Sequence, residues 1–164
     1  MKRWPLPFAL ALLLAATTTE AEQFNAPALS GFSPTPSSWS FLGPDGTLGY
    51  GVMFNLSTFS RELVLPLPTE NMTNTGQNFN WSVFVDVGGT LQPTDVVVCT
   101  LYLIGAGMIA SRSTAQVYTT PPSGPAMATL HLVSPAATPC SAAFVDCSVA
   151  KSGWVGNVLW TVTP

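Results

Sequence analysis

The run from Thr94 to Ile104 reads Thr-Asp-Val-Val-Val-Cys-Thr-Leu-Tyr-Leu-Ile and constrains the fold more than any other stretch of the chain. It is β-branched and apolar almost throughout, with Pro93 before it and Gly105 after it. Such a run is too short for a membrane-spanning helix and lacks the three-to-four spacing of an amphipathic one. It predicts a central β-strand buried on both faces.

The neighbouring segments are β as well. Asn80 to Val87 alternates cleanly, with Trp81, Val83, Val85 and Val87 on one face and Asn80, Ser82, Phe84 and Asp86 on the other. Gly88-Gly89 follows, so residues 80–104 are expected to form a hairpin within one sheet. Leu48 to Ser57 places Tyr50, Val52, Phe54 and Leu56 together and turns Asn55 to the opposite face. Leu63 to Pro68 carries Pro66 and Pro68, which remove two backbone donors and confine the segment to a sheet edge. Trp39–Leu42, 115–120, 127–133, 142–149 and 155–162 complete the pattern, with Pro135 expected to end the strand before it. Gly43-Pro-Asp-Gly46 and Pro121–Pro125 are turn signals, and 69–79 reads as a polar loop. The expectation is a single all-β domain, an antiparallel β-sandwich of about 8–9 strands, immunoglobulin-like or jelly-roll-like. An outer-membrane barrel is disfavoured: prolines interrupt the strands, and the strongest strand is apolar on both faces.

The N-terminus carries Lys2 and Arg3, then nine apolar residues from Phe8 to Ala16, then Thr19-Glu20-Ala21. A spanning helix needs roughly 20 apolar residues, so residues 1–21 read as a cleaved signal peptide. Cleavage after Ala16 is the alternative. Residues 22–46 are Pro- and Ser-rich and read as an irregular segment with an edge strand, leaving 47–164 as the sandwich core. No transmembrane segment is expected after cleavage. The expected location is extracytoplasmic: secreted, periplasmic or cell-surface.

Only 8% of residues are charged, against roughly 25% in an ordinary soluble domain. Beyond the leader, Arg61, Arg112 and Lys151 face seven carboxylates. Three scattered cations cannot neutralise a phosphate backbone, so nucleic-acid binding is excluded. Solubility rests instead on hydroxyls and amides.

Three cysteines are present, Cys99, Cys140 and Cys147. If 142–147 is extended, Cys140 and Cys147 stand about 23 Å apart, whereas a disulfide tolerates at most about 7 Å between Cα atoms. Cys99–Cys147 is therefore the expected bridge. Cys140–Cys147 is the alternative should the segment loop.

Motifs for chemistry are few. His131 is the one histidine and is expected on a solvated strand face. There is no Gly-x-Ser-x-Gly elbow, no histidine pair, no closely spaced cysteine pair and no phosphate loop, so no catalytic residue or cofactor is assigned. Asp86 and Asp95 flank the 88–93 turn and are weak Ca²⁺ candidates if a hairpin brings them together. Asn55, Asn71 and Asn80 each open an Asn-x-Ser/Thr acceptor sequence. Trp39, Phe84 and Trp154 form a candidate ligand platform.

The expected function is an exported, non-catalytic β-sandwich with a binding, adhesion or structural role. Its expected partner is another protein, or the same chain through an edge strand. A carbohydrate-binding module using exposed aromatics is the alternative, and a secreted hydrolase is third.

Overall fold

The computed structural model describes residues 22–27, 30–41, 51–68, 79–89, 91–92, 94–105, 110–119, 127–137 and 140–163. The expected leader, the Gly43–Gly46 and Pro121–Pro125 turns, the loop over 69–78 and Asn71 lie outside them.

Eleven strands stand among these residues: β1 (Glu22–Ala26), β2 (Trp39–Ser40), β3 (Met53–Asn55), β4 (Arg61–Leu67), β5 (Phe79–Gly89), β6 (Val97–Gly105), β7 (Ala110–Arg112), β8 (Gln116–Tyr118), β9 (Met127–Ala137), β10 (Cys140–Val149) and β11 (Gly153–Thr163). They form two antiparallel sheets. The six-stranded sheet runs β2-β3-β11-β5-β9, with β1 also on β11. The five-stranded sheet runs β4-β10-β6-β7, with β8 also on β6. The all-β sandwich is therefore what the chain builds. The surplus over nine strands consists of short pieces such as β2 and β7.

The inward faces are those that the alternation marks. Trp81, Val83, Val85 and Val87 of β5, with Leu130 and Leu132 of β9 and Val155, Val158, Trp160 and Val162 of β11, meet the other sheet. That sheet contributes Leu63, Leu65 and Leu67 of β4, Val97, Cys99, Leu101 and Leu103 of β6, and Val145, Cys147 and Val149 of β10. Trp81 and Trp160 are the largest of the fully buried side chains. Burying each such aliphatic or aromatic side chain contributes about 1.5–3 kcal/mol.

Cys99 and Cys147 are bonded, and they stand directly opposite each other in the β6–β10 ladder, with their Cα atoms 4.1 Å apart. The bridge spans 48 residues, worth about 4 kcal/mol in the chain-entropy account. Cys140 sits on the same extended strand as Cys147, opposite Gly105, which is why the short-range alternative does not form.

Four expectations are corrected. First, β6 is not buried on both faces: Val97, Cys99, Leu101 and Leu103 are covered, while Val98, Thr100, Tyr102 and Ile104 are half-buried. A two-layer sandwich covers only one side of each sheet. Second, 80–104 is not a hairpin, because β5 lies in the six-stranded sheet and β6 in the five-stranded one. The chain leaves β5 at Gly89, which has φ +132°; a Cβ there would collide with Ser152 O and stand 2.7 Å from Gly153 Cα. The β10–β11 turn occupies the space in which a hairpin would close. Third, β9 continues through Pro135 to Ala137. It is the last strand of its sheet, where a missing N–H is tolerated.

Fourth, β3 buries Asn55 and leaves Leu56 49% exposed, the reverse of the expected facing. The reason is hydrogen bonding. Asn55 Nδ2 donates to Val149 O at 2.7 Å and to Phe59 O at 2.9 Å, and Asn55 Oδ1 accepts from the Ser57 N–H at 2.9 Å. The amide thus ties the edge of one sheet to the end of a strand in the other. It is closed to glycosylation in the folded protein, whereas Asn80 is exposed on β5.

Replacing Asn55 with Ala strands a buried carbonyl and removes the tie between the sheets. We expect a loss of about 2–3 kcal/mol in urea unfolding. A change below about 0.5 kcal/mol, the range of an ordinary surface substitution, would show that the tie contributes nothing.

Candidate functional site

The outer face of the six-stranded sheet collects most of the polar and aromatic side chains singled out in the sequence. Its composition follows from strand parity. Once Trp81, Val83, Val85 and Val87 point inward, Ser82, Phe84 and Asp86 must point out. On β9 the same rule exposes Thr129, His131 and Val133. The register then sets the rows: Ser82 opposite Val133 and Thr161, Phe84 opposite His131 and Leu159, Asp86 opposite Thr129, and Gly88 opposite Met127 and Trp154.

The rings of Phe84 and His131 stack with centroids 4.4 Å apart and planes 6° from parallel. The Ser82 hydroxyl and His131 Nε2 are 2.6 Å apart. Thr129 Oγ1 donates to Asp86 Oδ1 at 2.8 Å. The Ser82–His131 contact has the polarity of a nucleophile and its base. It lies on an exposed sheet face in mid-strand, where a ladder consumes the backbone N–H groups that an oxyanion hole requires.

The register shifts between Val155 and Val158 of β11. This bulge exposes Asn157 and places Gly156 beneath Trp154. A Cβ on Gly156 would lie 3.4 Å from Trp154 Cζ3 and 3.2 Å from Asp86 Cβ. Glycine therefore leaves room over bare backbone for the edge of the indole and for Asp86 Cβ.

Two of the three platform aromatics share this face. Phe84 and Trp154 are half-buried on it, whereas Trp39 is only 9% exposed and belongs to the core. A tryptophan on a two-residue strand at a sheet edge stabilises more as core than as surface, because the indole buries a large apolar area. Asp86 and Asp95 are not joined by a hairpin. Asp86 stands on the outer face, while Asp95 follows a turn in which its N–H donates to Gln92 O at 2.9 Å. No group of three or more His, Cys, Asp or Glu side chains suited to a metal occurs among the described residues.

The outer face of the five-stranded sheet holds what sequence reading missed. Tyr102 and Phe144 stack there, centroids 5.2 Å apart. Asp146 lies in the next row, between Thr100 and Val64. Its Oδ1 is buried without a hydrogen-bond partner. Burial raises its pKa above the ordinary 3.8, and the nearby Glu62 carboxylate raises it further. The signal in the sequence was a lone carboxylate at an outward position of an otherwise apolar strand. Beside Thr100, a depression of ≈ 470 Å³ is lined by Arg112, Ser113, Thr114 and Ala115. Ser113 is already engaged, since its Oγ accepts from the Leu101 N–H at 3.0 Å.

No protein-family model matches the chain, and no curated protein matches it. Among solved structures it is similar to a chain described as "Structure of infectious bursal disease virus Gt strain", at 15% identity and a TM-score of 0.43. The match covers 87% of this chain and 32% of that one. The chain thus spans about a third of that protein's length, and a likeness this distant carries no argument about function.

The folded state holds the Asp146 proton more tightly than the unfolded state does. The stability linked to it is therefore complete below about pH 3.8 and is lost as pH rises through the raised value. Asp146→Asn is expected to raise the melting temperature at pH 7 and to match the unmodified protein near pH 3.5. Equal melting temperatures at pH 7 would contradict the burial of that charge.

Proposed function

We propose that this protein is an exported, non-catalytic β-sandwich that works by assembling with further copies of itself through the edge of β9 that no described residue pairs. The observation that carries this reading is the character of that strand. β9 is eleven residues long, ends its sheet, and contains no Asp, Glu, Lys or Arg. Met127 and Val133 on it are 54% and 50% exposed. Soluble proteins ordinarily guard such an edge with charges, prolines, brevity or a covering segment; the one proline of β9, Pro135, lies near its end and leaves 127–134 without such a guard. The other long edge has such guards: β4 carries Arg61 and Glu62 and is bridged at Val64 by Phe32.

A second copy is the occupant that fits. Two β9 strands related by a two-fold axis perpendicular to the sheet pair antiparallel, with inward residues opposite inward and outward opposite outward. No like charges meet, because the strand has none. The expected edge at 61–68 thus gives way to β9 as the assembling edge.

Export is supported by the Lys-Arg-apolar leader and by the Cys99–Cys147 bridge, which is compatible with an oxidising compartment. No helix among the described residues is long and apolar enough to cross a membrane. The non-catalytic part of the reading rests on the setting of the Ser82–His131 pair, out on an open sheet face.

Sedimentation and light scattering between about 1 μM and 1 mM, the usual range of weak to moderate association, should show a concentration-dependent dimer. Val133→Lys should hold the protein monomeric at the top of that range, since it adds a charge to the edge. An unmodified protein that stays monomeric throughout would overturn the proposal.

A further inference from the structure

We propose that the outer face of the six-stranded sheet binds a neutral saccharide, with Trp154 as the stacking surface and Asp86 and Asn157 as the hydrogen-bonding groups. This goes beyond assembly through β9. Strand addition extends the sheet in its own plane and leaves the face open.

The geometry around Trp154 carries the argument. The indole is half-exposed, and its register partner on β5 is Gly88, which has no side chain. On its own strand it rests against Gly156, which also has none. Glycine within a strand is destabilising relative to alanine. At position 156 the missing Cβ leaves room for the edge of the Trp154 indole and for Asp86 Cβ on either side of it. On β3, the residue opposite Trp154 is Phe54, itself half-buried, which prolongs the apolar strip.

Polar groups occupy neighbouring positions on the same face. Asp86 is held by Thr129, whose hydroxyl donates to one carboxylate oxygen; a carboxylate has further lone pairs to offer. Asn157 is exposed by the bulge. Its Oδ1 lies 3.1 Å from where a Cβ on Gly51 would stand, and Gly51 has φ +71°. A glycine is therefore needed there both for its backbone and for the room it leaves to the amide.

These groups select the class of ligand. A pyranose presents a face of C–H groups, which packs on an indole, and a rim of vicinal hydroxyls. The hydroxyls donate to a carboxylate and both donate to and accept from an amide. The outward residues of β5, β9 and β11 include no Lys or Arg, so an anionic ligand would find no counter-charge and would meet Asp86. A purely apolar ligand would leave Asp86 and Asn157 desolvated and unpaired.

The test is a titration of the full protein with neutral oligosaccharides: cello-, xylo-, manno-, malto-, laminari-, chito- and galacto-oligomers. Heat and tryptophan fluorescence are both read. Trp39, Trp81 and Trp160 are buried and Trp4 lies in the expected leader, outside the described residues, so loss of the fluorescence change in Trp154→Ala identifies Trp154 as its source. At least one series should bind saturably with a dissociation constant in the range of roughly 10 μM to 1 mM. Trp154→Ala should weaken that binding by more than about tenfold and abolish the fluorescence change, and Asp86→Asn should weaken it by about fivefold or more, the loss expected of a central contact. Val133→Lys should leave it intact, which separates this site from the assembling edge. Should Trp154→Ala fail to fold by circular dichroism, Asp86→Asn and Asn157→Ala carry the same test. Absence of saturable binding to every series, or binding that these variants leave within about twofold, would overturn the proposal.

Discussion

The Cys99–Cys147 rung fixes more than two strands. It lies in the β6–β10 ladder two pairs from the end at Val97 and Val149, and points into the core between the sheets. Adjacent long strands in the chain do not pair with each other: β4 to β5, β5 to β6, β9 to β10 and β10 to β11 each cross from one sheet to the other. Each pairing between two long strands is therefore made between distant segments, at the cost of closing long loops. A covalent bond between residues 48 apart removes part of that cost in advance. It also sets the register of the strands on which both sheets depend.

How far the sequence foretold this depends on the kind of interaction. Alternation was legible wherever side-chain packing decided the outcome, as in β5, where Trp81, Val83, Val85 and Val87 are buried as the pattern requires. The disulfide was legible because strand geometry excludes its competitor. Topology was not: Gly88-Gly89 followed by Pro93 looks like a hairpin, and only the presence of Ser152–Gly153 against Gly89 shows why the chain crosses instead. Asn55 was misread for a related reason. A polar residue in a half-apolar segment ordinarily faces water, and its carbonyl partners, Val149 and Phe59, are set by tertiary structure. Phe84 and Trp154 were recognised as surface aromatics, but that they share a face with Asp86 and Asn157 depends on the pairing of β5 with β11 and on the bulge at 156–157.

The two outer faces differ in chemistry although both are largely β-ladder. One exposes hydroxyls, an amide and a hydrogen-bonded carboxylate around a half-open indole. The other buries a carboxylate oxygen without a partner beside a Tyr–Phe stack. The first can satisfy a polar ligand, while the second carries an electrostatic cost that the rest of the fold offsets. The chain has few ions with which to guard edges, and β9 is a long, uncharged terminal strand whose outer side no described residue pairs. Assembly and ligand capture on one such sheet are geometrically compatible, since one uses its edge and the other its face.

This alternation between sheets makes the sandwich one cooperative unit governed by the β6–β10 rung. Native-state hydrogen exchange before and after selective reduction of Cys99–Cys147 tests it directly. Protection should fall together in β5, β6, β10 and β11, by similar free energies, although only two of these strands carry the bond. Loss of protection confined to β6 and β10, with β5 and β11 unchanged, would contradict it.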